Sequence, residues 1–382
     1  MMANRNRMIE HVLSLIKIDS ESRHEKDVAL KLKAELEALG ASVRIDDTDK
    51  ITGSNTGNVI AYFKGTKPNV PPFLLSAHMD TVVPGKGIRP ILSAKAIKTS
   101  GDTILGGDDK TGLSVVMETL RVLKEKNLPH GDLEIVFTVC EEIGLLGAKA
   151  VDPKRFRSKD GLVLDSEFAT ILTTQGPAAV RMEFTIHGVE AHAGVCPEEG
   201  LSAIKVAAQA IAKMKLGRID KETTANVGLI EGGLATNIIP NRVQLKAEAR
   251  SLNVQKLKTQ INHMTGCFRE ASAKNILRKN GKKITAKIDS DIGNDYFRLD
   301  LKNNARVVKL ALQASKELGY SLKPGSTGGG SDANIYNRWG IRAANLGSGM
   351  RDIHTVKEWI DLDDFERSAN LVVSILSLHA SY

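Results

Sequence analysis

A chain of 382 residues exceeds one ordinary domain, and two are expected at roughly 100–200 residues each. Its 42% hydrophobic and 26% charged content is globular, which excludes collagen, coiled coil and wholesale disorder. No run approaches the roughly 18 apolar residues of a membrane helix. Three widely spaced cysteines without a CxxC exclude a disulfide framework and a thiolate zinc site. The opening MMANRNRMIEHV has no apolar signal core, so a cytoplasmic protein is expected. The net charge of +8 concentrates in one stretch, KLKTQINHMTGCFREASAKNILRKNGKKITAK, residues 256–287. RNA readers interleave stacking aromatics with cations, and aromatics are only 4% here. A solvated basic helix face is therefore expected there, and nucleic acid is not an expected partner.

Ser22 to Glu25 has capping-box spacing ahead of VALKLKAELEAL, an amphipathic helix that Gly40 would stop. ASVRID, NVIAYF and PFLLSAH read as strands. The short run TIL precedes GGDDKTG, and KTGLSVVMETLRVLKEK reads as a helix. DLEIVFTV is the next strand, followed by a helical turn near Gly147 and the strands GLVLDS and ATILTT. Strands alternating with amphipathic helices predict an α/β layer fold with a largely buried sheet. After Gly176 the texture changes. AAVRMEFTIHG alternates with period two, followed by the helix LSAIKVAAQAIAKMKL and the strands TTANVGLIEGG and QLKAEARS. A helix from Val254 to about Lys274 and the strand KKITAKIDS complete a β-α-β-β-α-β unit of ferredoxin-like order. From about Asn294 the first texture returns with ARVVKLALQASKELG, AANLGSG and a helix starting near Asp363. The expected organisation is a discontinuous α/β domain, 1–175 and 295–382, interrupted by an inserted domain, 176–294.

The chemistry-bearing residues follow strands. His78 and Asp80 close PFLLSA, and ligands of open α/β sheets bind beyond the carboxyl ends of strands. A carboxylate two residues from a histidine can fix its tautomer and raise its basicity. Taken alone, a stray surface histidine explains the pair equally well. GGDDKTG lacks phosphate-loop spacing, and its adjacent aspartates would repel phosphate; a cation suits it better, or a helix capped by Asp109. Glu141 and Glu142 must sit where their strand breaks, since strand neighbours point to opposite faces. Asp165 ends GLVLD, and His354 lies in a loop after AANLG. Histidines and carboxylates without cysteine form the ligand set expected of a two-metal hydrolase, in which a bridging carboxylate holds ions roughly 3.5–4 Å apart.

HMDTV, GGDDKTG, EEIGLLGA, VLDSE, HAG, TNIIPN, GGGSDAN and the late His354 together resemble the co-catalytic zinc exopeptidase superfamily. That superfamily contains aminoacylases, bacterial glutamate carboxypeptidases, succinyl-diaminopimelate desuccinylases and peptidase T. The match runs in order from about His78 to His354, and GGDDKTG and GSTGGGSDAN look most similar to the peptidase T-like branch. The resemblance implies a catalytic domain with a central mixed sheet flanked by helices, and an inserted lid and dimerisation domain. It implies that His78 binds one ion with Asp80 orienting it, that Asp108 bridges both ions, and that the peptide bond from Asp108 to Asp109 is a candidate for the cis form. Asp165 would complete the His78 site, Glu142 and His354 would hold the other ion, and Glu141 would be the general base. His192 would polarise the scissile carbonyl. Asn237 and Arg250, thirteen residues apart, would bind a substrate carboxylate, which suits the arginine fork. Arg250 alone reads equally well as a solvent-facing strand residue. Backbone at Gly329 and Ser331 would approach the substrate closely.

The implied cofactors are two Zn2+ per subunit, although the mixed ligand set also admits Co2+ or Mn2+. The implied partners are a short peptide and a second copy of the chain, met through the inserted domain, with AAVRMEFTI as the candidate edge and His192 acting in cis or in trans. The implied reaction is hydrolysis of the N-terminal bond of short peptides, tripeptides in particular, by a water bridging the two ions. Relatives with the same machinery act as carboxypeptidases or N-acyl-amino-acid amidohydrolases, and pocket contacts that sequence does not reveal decide among them. A non-catalytic metal-bound or nucleic-acid-binding protein is the alternative of another class, and the presence of Glu141 argues against it.

Overall fold

The computed structural model describes residues 2–381, which divide into two compact units. The first runs up to Gln175 and also comprises Leu299–Thr327 and the residues from Ser331 onward; the second comprises Gly176–Arg298 and Gly328–Gly330. Among the described residues no helix is long and apolar enough to cross a membrane.

The first unit is built on a nine-stranded mixed sheet. Four of its strands lie side by side and parallel: Leu133–Thr138, Phe73–His78, Asp160–Val163 and Arg342–Leu346. Val59–Phe63 and Ser42–Ile45 extend it antiparallel at one side, and Ile171–Gly176 pairs antiparallel with Arg342–Leu346 at the other. Every residue of Phe73–His78, Leu133–Thr138 and Asp160–Val163 is buried. That explains their continuous apolar texture, because a strand covered on both faces has no reason to alternate. The helix Gly107–Glu125 packs against Phe73–His78 and is buried around most of its circumference. Such a helix belongs to a core rather than to a surface. Arg5–Ile16 and Leu362–His379 pack on it in turn.

Two local expectations fail here. The helix Lys26–Leu39 does end at Gly40, whose left-handed φ of 98° suits glycine. Its N-cap residue Glu25 makes no side-chain cap, however; the Lys26 N–H goes to distant Asn55, and the Ser22 hydroxyl is committed elsewhere, to Asp80. The run TIL forms no strand; instead Leu105 and Gly106 turn their N–H groups toward Glu358.

The second unit places a five-stranded antiparallel sheet under the helices Ala203–Lys213 and Val254–Lys274. Its sheet order is Gly217–Arg218, Thr223–Gly232, Arg242–Ser251, Ala178–His187 and Lys287–Tyr296. Omitting the two-residue strand and a separate two-stranded hairpin, the chain order is β-α-β-β-α-β. Val180, Met182, Phe184 and Ile186 alternate into this unit's core, where the Phe184 and Phe268 rings lie 4.3 Å apart. Ala178–His187 pairs on both sides and is therefore not an edge; Lys287–Tyr296 is the long edge. The run KKITAKIDS does not form a single strand. Its first part pairs with Ile276–Lys279 as a hairpin, and its last part opens the edge strand. The hairpin sets Arg278 opposite Lys283 and Lys279 opposite Lys282, like-charge pairs that are unfavourable across strands. Glu199 relieves one of them, 2.8 Å from Lys279.

A buried polar pin ties the helices that support the first unit's central helix. His11 on Arg5–Ile16 has Nε2 2.7 Å from Glu35 and Nδ1 2.9 Å from Ser114. Burial lowers the His11 pKa, so the neutral ring donates to Glu35 and accepts from the Ser114 hydroxyl. Burial alone would raise Glu35, but hydrogen bonds from His11 and Lys31 hold it down at about 2. The unfolded chain binds these protons more readily than the folded one. The Glu35 contribution is therefore full above the ordinary value of 4.5 and is lost as pH falls toward 2. That of His11 has the same sign and fades as pH falls below 6.5. Glu35→Gln is expected to cost about 1–2 kcal/mol at neutral pH. In calorimetric unfolding its deficit against the wild type should shrink as pH falls below 4.5; a deficit independent of pH would contradict this account.

Candidate metal centre

The carboxyl ends of the four parallel strands converge. His78 is the last residue of its strand, Asp165 lies two residues beyond Val163, and Glu141 lies three beyond Thr138. After Thr138 the backbone leaves the pleat, and Cys140 takes a left-handed φ of 54°. This break lets Glu141 and Glu142 escape the alternation of a regular strand. His354 sits in the loop after Arg342–Leu346 with φ 62°, a conformation rare for residues other than glycine and concentrated at functional sites.

Asp108 lies at the middle of the cluster. Its Oδ1 is 2.9 Å from His78 Nε2 and its Oδ2 is 3.1 Å from His354 Nε2, so each carboxylate oxygen faces a different imidazole. Glu142 approaches His354 at 3.0 Å, and Asp165 lies 3.9 Å from His78. Two trios result, His78–Asp108–Asp165 and Asp108–Glu142–His354, each offering three ligand atoms within 4.8 Å of one another. The Asp108–Asp109 peptide is cis. Asp109 accepts hydrogen bonds from the Gly112 and His78 N–H groups, so it both caps the helix and ties it to the His78 strand. The capping reading of GGDDKTG thus falls on Asp109, while Asp108 belongs to the two trios that could hold a cation.

Asp80 is fully buried and works mainly through the backbone. It accepts the N–H groups of Glu141 at 2.9 Å and Glu142 at 3.2 Å, and the Ser22 hydroxyl at 2.7 Å. His78 Nδ1 lies 3.0 Å from the Asp80 carbonyl and 3.4 Å from its carboxylate, which fixes the ring.

The electrostatics are those of a cluster short of positive charge. Burial drives Glu141 and Asp165 well above the carboxylate range, and neighbouring carboxylates add to it. Burial also raises Glu142, with Asp108 pushing the same way. For His78 burial alone would lower the pKa, but Asp108 and Asp80 raise it well above the ordinary value. Hydrogen bonds to Asp108 and Glu142 lift His354 to about 10. Oxygen and imidazole donors with surplus negative charge, and no cysteine among them, fit hard or borderline divalent cations.

Several buried groups around the cluster carry no sequence signal of their role. Asn345 brackets the Asp165 peptide, accepting its N–H at 3.0 Å and donating to its carbonyl. Lys110, 1% exposed, donates to Ser20 and to the Met79 carbonyl, and burial lowers its pKa to about 8. Asp332 accepts from the Thr138 hydroxyl, and burial raises it to about 6. Glu358 accepts three backbone N–H groups from residues 105–108. Each of these contacts joins segments far apart in the chain.

The remaining singled-out residues have other surroundings. His192 and Asn237 lie on adjacent segments of the second unit, where Ala193 N–H donates to the Asn237 carbonyl. Arg250 turns its guanidinium onto Glu248, at 3.1 and 2.9 Å, and so is not simply solvent-facing. Ser331 caps the helix Asp332–Arg338. A Cβ on neighbouring Gly330 would fall 2.4 Å from the Tyr296 ring, which gives that glycine a packing reason.

Relatives share both the fold and the site-bearing sequence. Aminopeptidase PepT from Bacillus cereus is 40% identical, with full coverage of both chains and a TM-score of 0.87. A tripeptidase from Staphylococcus aureus is 36% identical, again with full coverage of both chains, at a TM-score of 0.91. Peptidase T of Fusobacterium nucleatum is 25% identical over 77% of this chain and 69% of its own length. Residues 74–378 match Peptidase family M20/M25/M40, and with the sheet-end cluster inside that span the chain belongs to this family. It is a metallopeptidase of the peptidase T-like branch.

Cation binding requires neutral imidazoles and ionised carboxylates. Since His354 is held at about 10 and His78 well above its ordinary value, loading Zn2+ or Co2+ near neutral pH should release protons. Affinity should accordingly rise with pH. Titration calorimetry in buffers of different ionisation enthalpy should show this as a buffer-dependent heat, and a buffer-independent heat would contradict it.

Proposed function

We propose that this metallopeptidase is an aminopeptidase of short peptides, tripeptides foremost, that uses two divalent ions, zinc in the first instance. The carrying observation is Asp108, whose two oxygens each face a different imidazole. The names of the relatives from B. cereus, S. aureus and F. nucleatum favour the aminopeptidase and tripeptide reading. Free Cys140, Cys196 and Cys267 favour the cytoplasm. The reading also includes a homodimer formed through the second unit.

In this reading His78 and Asp165 hold one ion, Glu142 and His354 hold the other, and Asp108 is shared. When bound, the ions supply Lewis acidity that activates water and polarises the scissile carbonyl. Asp80 keeps His78 in one orientation and fixes the peptide groups of Glu141 and Glu142. Glu141 takes the proton from the attacking water and returns it to the leaving amine. His192 donates to the developing oxyanion. Asn237 and Arg250 bind the substrate carboxylate, with Arg250 giving up part of its contact with Glu248. Gly329 and Ser331 offer backbone alongside the peptide.

Metal-loaded protein incubated with free tripeptides of three distinct residues should release the N-terminal residue, read by mass spectrometry. N-acetylation of the substrate should abolish that release. Release of the C-terminal residue would make the enzyme a carboxypeptidase, and cleavage confined to N-acyl amino acids would make it an amidohydrolase. Glu141→Gln should keep its metal content and lose about 10²–10⁴-fold in kcat; unchanged turnover would remove Glu141 from the base role.

A further inference from the structure

Glu358 lies four residues beyond His354 and is 1% exposed, yet it forms no salt bridge among the described residues. Its partners are backbone donors. Oε2 accepts the N–H groups of Leu105 at 2.7 Å and Gly106 at 2.8 Å, and Oε1 accepts that of Asp108 at 3.0 Å. Several N–H groups turned on one carboxylate form an anion-binding concavity; burial still raises the Glu358 pKa to about 7, the backbone donors opposing it only in part. The fit is close, since a Cβ on Gly107 would come within 3.1 Å of Glu358 Oε1. The main chain of Glu358 is anchored as well. Its N–H donates to the carbonyl of Thr355, next to His354, and its carbonyl accepts from Thr99.

One residue therefore grips the backbone of Asp108 with its side chain and the turn carrying His354 with its main chain. Beyond its ring contacts with Asp108 and Glu142, His354 stands on a loop, with its side chain 49% exposed and its backbone in the left-handed region. His78 and Asp165, by contrast, stand at the ends of buried strands.

We propose that Glu358 is a positioning residue that sets Asp108 against His354 and so governs affinity for the cation held by Asp108, Glu142 and His354. This rests on the two-ion reading above. The carboxylate acts through geometry and touches neither cation nor substrate. Losing an outer partner of a metal ligand typically costs 10–100-fold in metal affinity. Asp108 belongs to both trios, so both ions should feel the loss, but His78 and Asp165 stand on buried strands and the larger share should fall on the ion that also depends on the His354 loop.

The test is titration of metal-free Glu358→Gln with Co2+, followed by calorimetry and the cobalt absorption bands, with bound metal counted by atomic absorption. The glutamine keeps the size and one acceptor while removing the charge. The wild type should bind two ions. The variant should bind one with affinity changed less than about threefold and the other about 10–100-fold more weakly. On a His354→Ala background, which removes a ligand of the loop ion, adding Glu358→Gln should change the remaining affinity by less than about threefold. Unaltered affinity for both ions, equal loss at both, or a further loss of about tenfold on the His354→Ala background would overturn the proposal. A wild type that binds a single ion would instead remove the two-ion reading on which it rests. Should the variant not fold, hydrogen exchange in the metal-free wild type decides. The Leu105, Gly106 and Asp108 amides should be protected, and fast exchange there would overturn the proposal.

Discussion

The first unit depends on one carboxylate that must present an oxygen to each of two imidazoles while buried. Asp108 cannot do this from a regular helix or a regular strand. The chain supplies a bent segment ahead of the central helix, with Asp109 taking over the capping and Glu358 gathering the backbone donors. The helix behind it is buried nearly all round, so its start cannot drift without disturbing the core. The His78 strand lies between two parallel neighbours, which fixes the height at which its ring meets Asp108.

Burying this much negative charge has a cost, and it is met unevenly. Asp80 stays below the ordinary carboxylate value in spite of full burial, because the His78 imidazole, and after it the Ser22 hydroxyl and the Glu141 N–H, favour its charged form. Asp108 likewise stays low, because two imidazoles outweigh its desolvation. Glu141 and Asp165 have burial and like-charged neighbours working against their ionisation, with His78 as the main opposing influence. Carboxylates of one buried cluster are thus driven in opposite directions by their neighbours rather than by their depth.

The second unit solves a different problem. Its sheet alternates because one face meets two helices and the other does not. Polar residues on the open face pair with one another, as Arg250 does with Glu248 and Lys246 with Glu183. The basic stretch continues the pattern. Lys256 is met by Asp220 and Glu222, and Lys279 by Glu199, but the hairpin keeps cations opposite one another across its two strands.

Sequence by itself determined what local rules can determine. Apolar runs without alternation marked strands buried on both faces, and period two marked the second unit, because side-chain periodicity records how many faces are covered. Histidine and carboxylate at strand ends marked the residues that crowd around Asp108, since the types able to hold a cation are few. Tertiary structure decided the rest. Which strand is an edge depends on pairing between distant segments, so Ala178–His187 is internal and Lys287–Tyr296 is not. Ser22 passes from a supposed cap to a donor for Asp80, Arg250 from a candidate carboxylate fork to a partner of Glu248, and Glu358, unmarked in the sequence, accepts the Asp108 N–H. In the cases of Ser22 and Glu358 the deciding hydrogen bond joins groups dozens to hundreds of positions apart, and in that of Arg250 it was one of several arrangements that neighbouring side chains allow. Local sequence specifies the donor and the acceptor, and only the folded chain specifies that they meet.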